Sequence, residues 1–180
     1  MALGKWKRLG QELELKNPWW TYRKDLVQLP NGREGEYHFV HVAGSSMILP
    51  VRADGTIILV NQYRYLADHE SLEFPCGSVK EGSSYDETAL QELAEEAGCA
   101  AGRLESVAAF NPYNGVTDEI CRVYLARDLR PVESHRDEPE EFELHYLSPL
   151  AIDTLVRDGT IWDGMSLSAW ALTRHRFPAK

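Results

Sequence analysis

The segment Gly77-Ser-Val-Lys-Glu-Gly-Ser-Ser-Tyr-Asp-Glu-Thr-Ala-Leu-Gln-Glu-Leu-Ala-Glu-Glu-Ala-Gly-Cys99 contains the most strongly patterned helix in the sequence. Ser84 is followed three positions later by Glu87, which is the pattern of a capping box at a helix start. Gly98 suits the left-handed conformation that often follows the last residue of a helix. These signals predict a helix over residues 84–97 with a turn on either side.

Three glutamates share one face of this predicted helix, because Glu92, Glu95 and Glu96 are spaced at i, i+3 and i+4. Like charges at this spacing repel, and the last two lie near the helix C-terminus, where the macrodipole disfavours anions. A divalent cation would reverse both penalties, and clustered carboxylate oxygens suit Mg²⁺, which keeps several waters and shares substrate phosphates. Taken alone, such a triplet is more typical of a solvated helix face.

The sequence on either side of the helix predicts a mixture of strands and helices. Asn31-Gly32 is a strong turn signal between two strand-like segments, which indicates a β-hairpin or small sheet near the N-terminus. Strands and helices do not alternate regularly elsewhere, so an α+β fold is favoured over a doubly wound parallel one. The predicted strands are 22–29, 37–42, 47–51, 56–63, 104–109, 120–126 and 142–147, and the predicted later helices are 150–158 and 165–176.

Composition excludes several classes of partner. The chain has 180 residues, and its 28 acidic against 19 basic residues give a formal net charge of -9. This balance argues against binding to nucleic acid or to an anionic membrane surface, since both depend on clustered Lys and Arg. Met1 to Trp20 is interrupted by charges and contains no signal peptide pattern. The three cysteines lack zinc-site spacing, so we expect reduced thiols and a cytoplasmic location.

The segment from Gly77 to Cys99 resembles the Nudix box, Gx5Ex7REUxEExGU, in which U is an aliphatic residue. Two positions depart from it, because Ser83 replaces Glu and Gln91 replaces Arg. These changes remove one negative and one positive partner together, so we expect weaker orientation of the glutamates and a retained metal site. The positions that match are Gly77, Glu92, Leu93, Glu95, Glu96 and Gly98, with Cys99 at the final aliphatic position.

The similarity extends to the ADP-ribose and nucleoside-diphosphate-sugar pyrophosphatases of that superfamily. Gln62-Tyr63-Arg64-Tyr65 and Glu73-Phe74-Pro75-Cys76-Gly77 resemble the segments that precede their box, and Gly115-Val116-Thr117-Asp118-Glu119 resembles a later loop. The acidic segment 137–144 resembles their catalytic loop. The resemblance implies a Nudix fold, an α/β/α sandwich with a mixed β-sheet between helices. It also implies an N-terminal β-sheet and dimerisation region over residues 1–45, and a Nudix hydrolase domain over 46–180.

The resemblance also implies roles for individual residues in metal binding and catalysis. Glu92, Glu96 and the backbone carbonyl of Cys76 would bind Mg²⁺, with Mn²⁺ as a possible substitute. Glu95 would be a further metal ligand or a catalytic residue that positions the others. Glu140, or alternatively Glu138, would be the general base or a late metal ligand. Without the family, the run of acids from 138 to 141 is typical of a solvated loop.

Four further residues are implied in binding the substrate. Arg64 would hold a phosphate or the terminal ribose, since a guanidinium fork suits phosphate, although a strand-end salt bridge is its alternative role. Glu119 would accept hydrogen bonds from ribose hydroxyls. Trp19 and Trp20 would stack a nucleobase, but aromatic pairs also form cores and interfaces.

The sequence therefore predicts Mg²⁺-dependent hydrolysis of the diphosphate bond of ADP-ribose or a related nucleoside diphosphate sugar. The products would be a nucleoside monophosphate and a sugar phosphate, and the protein would be a homodimer. The family's subgroup markers are absent here, so ADP-ribose, GDP-mannose and other sugar nucleotides stay open. A second hypothesis is a catalytically weak or inactive domain that binds an ADP-ribose-type ligand as a sensor. Ser83 and Gln91 favour this sensor, whereas the intact glutamate triplet opposes it. RNA cap removal is disfavoured by the negative charge.

Overall fold

The computed structural model describes residues 3–132 and 143–178. The chain divides into two compact units. The N-terminal unit contains residues up to 43 together with 111–119, and the main unit contains 44–110 and the residues from 120 onward. No helix in the described ranges is long and apolar enough to cross a bilayer.

The N-terminal unit is a three-stranded antiparallel sheet in the order β1-β2-β3. Its strands are β1 (Lys7–Lys16), β2 (Thr21–Gln28) and β3 (Glu34–His41). The predicted turn at Asn31-Gly32 is present, and Gly32 has a φ of 82°, the left-handed conformation that favours glycine. The predicted N-terminal antiparallel sheet is therefore confirmed, with an additional strand, β1, that the sequence analysis did not identify.

The loop 111–119 belongs to the same unit because it bonds to the end of β3. Val40 forms a parallel bridge with Thr117, and the Val40 amide donates to the Val116 carbonyl oxygen at 2.8 Å. The Asp118 carboxylate lies 2.7 Å from Nδ1 of His41. These bonds fix the Gly-x-Thr-Asp-Glu segment against the sheet.

Among its described residues, the main unit contains two sheets, three α-helices and a short 3-10 helix at Arg174–Arg176. One sheet has the order β7-β4-β9-β8 and is mixed, since β4 runs parallel to β9, while the other is antiparallel with the order β10-β5-β6. This arrangement confirms the predicted α+β class. The elements are β4 (Ser45–Pro50), β5 (Ile57–Arg64), β6 (His69–Glu73), β7 (Cys76–Ser78), α1 (Tyr85–Glu95), β8 (Cys99–Phe110), β9 (Cys121–Pro131), β10 (Glu143–Leu147), α2 (Pro149–Arg157) and α3 (Gly164–Thr173).

Strand β4 and the first half of β5, residues 57–60, are buried on both faces, which explains the apolar runs Met47-Ile48-Leu49 and Ile57-Ile58-Leu59-Val60. Met47 and Leu49 belong to one hydrophobic cluster with Trp170 of α3, whereas Ile48 faces a second cluster with Leu93 of α1. The two faces alternate because successive side chains of a strand point in opposite directions. Helix α1 is thus fixed to the sheet by Leu93, which lies between Glu92 and the pair Glu95-Glu96.

The start of α1 is fixed by two sets of hydrogen bonds. The Ser84 hydroxyl accepts from the Glu87 amide and the Glu87 carboxylate accepts from the Ser84 amide, so the predicted capping box is present. The buried Tyr124 hydroxyl of β9 donates to the Asp86 carboxylate at 2.6 Å. Burial, and next the bond to Asp86, raise the pKa of Tyr124.

Replacement of Tyr124 by Phe is expected to lower the free energy of unfolding by about 1 kcal/mol at pH 7.5, because one hydrogen bond is lost. The folded protein disfavours the ionised phenol, so the contribution of Tyr124 is present below the unfolded pKa near 10 and is lost as pH rises beyond it. Urea unfolding at pH 7.5 and 10.5 measures both effects. Tyr65→Phe, at an exposed position, is the control. If the free energies of unfolding of wild type and Tyr124→Phe differ by the same amount at both pH values, the raised pKa of Tyr124 is contradicted.

Candidate active site

Glu92 of α1 lies directly against the backbone of Gly77 in β7. A Cβ atom placed on Gly77 would lie 2.0 Å from Oε1 of Glu92 and 2.1 Å from its Cδ. No side chain larger than hydrogen fits there unless the Glu92 carboxylate moves. The first glycine of the predicted motif is therefore explained by close approach to the first glutamate, which lies 15 residues later.

Glu96 lies against the preceding residue, Cys76. The Cys76 amide donates to Oε2 of Glu96 at 3.0 Å, and Glu96 is only 6% exposed. Cys76 is itself held in β7 by pairing with Met47 of β4. The two glutamates, one helical turn apart, therefore both direct their carboxylates towards the Cys76-Gly77 backbone.

Glu95 has a different environment, because its partner is the residue that departs from the motif. Nε2 of Gln91 donates to Oε1 of Glu95 at 2.9 Å, across one turn of α1. Gln91 thus supplies a neutral donor to a carboxylate at the position where the resemblance expects an arginine. Gln91 therefore gives Glu95 an orienting hydrogen bond from a neutral side chain.

These oxygen atoms suit a hard divalent cation by their chemistry. Carboxylates at Glu92 and Glu96 lie at a backbone segment that carries a carbonyl group, and Mg²⁺ prefers oxygen ligands while keeping several waters. Within residues 3–132 and 143–178, no three His, Cys, Asp or Glu side chains form a ready metal cluster.

Arg64 makes a two-bond ion pair with Glu73 on the neighbouring strand. Nε of Arg64 donates to Oε1 of Glu73 at 2.7 Å, and Nη2 donates to Oε2. Hydrogen bonding to Glu73 raises the pKa of Arg64, burial opposes this, and the charges of Asp163 and Glu96 add to the increase. Arg64 therefore lies within electrostatic range of Glu96. The structure shows the salt bridge that was considered from the sequence, and the role of Arg64 in binding phosphate or ribose stays a prediction.

The remaining predicted residues of the substrate site belong to the N-terminal unit. Trp19 and Trp20 lie in the turn after β1, where the Asn17 side chain accepts a hydrogen bond from each of their amides. Trp19 is 80% exposed and Trp20 is 46% exposed, so neither is a core residue. Glu119 ends the loop that is bonded to β3, and the Asn111 side chain donates to its carbonyl oxygen at 2.7 Å.

The same unit contains a cleft that the sequence analysis did not identify. It has a volume of about 340 Å³, and Tyr37 and Phe39 of β3 form its aromatic wall. Opposite them are polar side chains of the 111–119 loop, including Asn111, whose buried Oδ1 has no hydrogen-bond partner among the described residues. The alternation of β3 was the available signal, because it places Tyr37 and Phe39 on one face.

Two predicted residues cannot be located. Glu138 and Glu140, the candidates for the general base, lie outside the described residues. Their roles, and the choice between them, stay predictions.

The fold and the glutamate site together define a class of protein that is already known. A solved structure described as an ADP compounds hydrolase matches with a TM-score of 0.83 at 23% identity, covering 98% of this chain and 96% of that one. The model of the NUDIX domain matches residues 41–165. The model of the nucleoside diphosphate sugar hydrolase N-terminal domain matches residues 6–40. The chain therefore belongs to the NUDIX family.

Curated relatives agree with this assignment. The ADP-ribose pyrophosphatase of Bacillus subtilis is 36% identical over 115 residues, which is 64% of this chain and 62% of that protein. The ADP-ribose pyrophosphatase of Mycobacterium tuberculosis is 34% identical over 66% of this chain and 59% of its own length. The methanol dehydrogenase activator of Bacillus methanolicus is 29% identical over 81% of this chain and 80% of its own length. The matches to the two pyrophosphatases thus span less than two thirds of those proteins.

Proposed function

We propose that the protein hydrolyses the diphosphate bond of ADP-ribose or a related nucleoside diphosphate sugar in a Mg²⁺-dependent reaction. The observation that carries this proposal is the placement of the Glu92 and Glu96 carboxylates at the Cys76-Gly77 backbone. Carboxylates placed this way can bind a divalent cation, and the cation can in turn bind the phosphates of an anionic substrate. The products are a nucleoside monophosphate and a sugar phosphate.

In this mechanism the described residues bind and orient the reactants. Glu92, Glu96 and the Cys76 carbonyl would hold the cation, while Gln91 orients Glu95 on the same helix. When bound, Mg²⁺ stabilises charge on phosphoryl oxygens and lowers the pKa of a bound water. Arg64 donates hydrogen bonds to the phosphate or the terminal ribose. A carboxylate from the acidic segment 137–144, Glu140 or Glu138, would accept the proton of the attacking water.

The nucleobase is proposed to stack on aromatic residues of the N-terminal unit. Trp19 and Trp20 are exposed enough for this role, and the wall formed by Tyr37 and Phe39 is a second candidate within that unit. Glu119 is proposed to accept hydrogen bonds from ribose hydroxyls. The ADP-ribose pyrophosphatases among the relatives support an adenine nucleotide, while the match to a nucleoside diphosphate sugar hydrolase domain leaves other bases open.

A homodimer is part of the proposal. Strand β1 is exposed along its whole length and carries Leu13 and Leu15 at 40% and 59% exposure, next to the half-exposed Trp6. An edge strand with such side chains is a surface on which a second copy can pair. The expectation of a cytoplasmic location stays a prediction.

Purified protein with Mg²⁺ is expected to hydrolyse at least one of ADP-ribose, GDP-mannose and UDP-glucose. Product analysis should give the nucleoside monophosphate, and addition of a chelator should stop the reaction. If none of the three is hydrolysed but ADP-ribose binds at micromolar concentration, the enzyme proposal fails and the sensor hypothesis replaces it. Rates that do not respond to chelation would remove the cation from the mechanism.

A further inference from the structure

Glu73 is a buried acid that the sequence analysis recognised as part of a motif without giving it a role. Its side chain is 3% exposed, whereas the side chain of its partner, Arg64, is 47% exposed. A carboxylate that is this strongly buried requires a charged partner and hydrogen bonds. In this ion pair Glu73 is buried within the fold, and Arg64 reaches solvent.

The backbone fixes Glu73 firmly. Glu73 is the last residue of β6 and lies opposite Val60 of β5, while Gln62 lies opposite Ser71. Because directly opposed residues of an antiparallel pair share a face, these positions place Gln62, Arg64 and Glu73 on one side of the hairpin. Nε2 of Gln62 also lies 3.5 Å from Oε2 of Glu73. The carboxylate is thus held from its own strand and from the neighbouring one.

The two bonds to Glu73 occupy one edge of the Arg64 guanidinium, formed by Nε and Nη2. An arginine has five N–H donors in a rigid planar fork, so fixing one edge also fixes the direction of the other. For Nη1, on the outer edge, the described part of the chain supplies no partner. The orientation of the outer donors is therefore set by Glu73 and not by a flexible side chain.

The acids around Arg64 offset its positive charge. Glu73 neutralises Arg64, and the charges of Asp163 and Glu96 also act on the guanidinium. The local sum of these four groups is negative, so Arg64 supplies directed donors to a ligand and little net attraction. On the proposed function, the attraction for a diphosphate would come from the cation that Glu92 and Glu96 would hold.

We infer that Glu73 is a positioning residue, which orients Arg64 so that its outer edge donates to a phosphate or sugar oxygen of the substrate. This inference rests on the proposed function, since it names the device that aligns the substrate in the same site. Glu73 acts through Arg64 and does not touch the substrate.

Replacement of Glu73 by Gln is expected to raise KM roughly 10-fold, with a smaller change in kcat. Removing a residue that orients a binding group typically costs about 10-fold or more in affinity or activity. In an Arg64→Ala background, the same Glu73→Gln change should leave KM unaltered, because the residue that Glu73 orients is absent. Ser71→Ala is the matched control. It lies on the same strand, is buried, and its Oγ has no hydrogen-bond partner among the described residues, so wild-type KM is expected.

The measurements are steady-state kinetics, a thermal melt of each variant, and the Kd of ADP-ribose by calorimetry with Ca²⁺ in place of Mg²⁺. A folded Glu73→Gln protein with wild-type KM and Kd would overturn the inference while leaving the proposed function intact. Equal effects of Glu73→Gln in the wild-type and Arg64→Ala backgrounds would also overturn it, because Glu73 would then not act through Arg64. If wild type binds ADP-ribose without hydrolysing it, the enzyme proposal fails. The Kd values of wild type and the Glu73→Gln variants then decide the inference without kinetics. No binding and no hydrolysis would overturn both.

Discussion

Glu96→Gln and Glu92→Gln are each expected to reduce hydrolysis by about 10²–10⁴-fold, since removing a metal ligand forfeits several kcal/mol of charge stabilisation in the transition state. The fold should survive both changes. The oxygen of a glutamine at position 96 can still accept the Cys76 amide, and a glutamine at position 92 has the shape that fits beside Gly77. The loss therefore reflects the missing negative charge.

Kinetics with increasing Mg²⁺ concentration measure this effect, and a thermal melt with and without Mg²⁺ gives a second result that does not require turnover. A cation that binds the folded state stabilises it by RT ln(1 + [L]/Kd), so wild type should gain stability on adding Mg²⁺ and the variants should gain less. Glu81→Gln is the matched control, because it makes the same chemical change at an exposed position in the loop before α1. Wild-type rates in both site variants would refute the assignment of Glu92 and Glu96.

Gly77→Ala is expected to lower activity strongly while changing stability little. The new methyl group would overlap the Glu92 carboxylate, whose atoms lie 2.0 to 2.7 Å from the ideal Cβ position. The overlapping group is the end of a flexible side chain, so it can rotate away at a small cost in stability, about 1 kcal/mol or less. The displaced carboxylate then no longer reaches the cation, and a loss of about 100-fold in kcat/KM is expected.

Urea unfolding and steady-state kinetics of Gly77→Ala test the two halves of this prediction. Gly164→Ala is the control, because an ideal Cβ at that position meets no atom within 4 Å and its φ is not positive. Full activity in Gly77→Ala would show that the position of the Glu92 carboxylate is not needed for catalysis. A large loss of stability would instead show that the β7–α1 contact is part of the core.

The local pattern of the Nudix box was sufficient to predict α1, its capping box and the common face of its glutamates. These features depend on residues within one or two helical turns, where periodicity determines side-chain direction. Strand β1 was missed although Glu12-Leu13-Glu14-Leu15-Lys16 alternates polar and apolar residues, because the strand is fully exposed and rich in Gly, Glu and Lys, which are depleted in strands. It is a strand because β2 supplies hydrogen-bond partners, and such pairing leaves a weak pattern in the sequence.

Contacts between distant segments needed the tertiary structure. The sequence left Arg64 with two roles, a phosphate ligand or a strand-end salt bridge, and the β5–β6 register supplied Glu73 as its partner. The joining of loop 111–119 to β3 likewise depends on a bridge between residues far apart in the chain. A motif can place Glu92 on a helix face, but it cannot show that the carboxylate meets Gly77.

The sequence by itself determined the family, the fold class and the identity of the acids on α1, because each depends on residue type at fixed local spacing. The tertiary structure decided where those acids point, which acid holds Arg64, and that Gln91 donates a hydrogen bond to Glu95. The physical reason is that the spacing of residues along a helix or strand fixes the direction of their side chains relative to that element alone. The position of one element against another is set by strand register and by packing in the core.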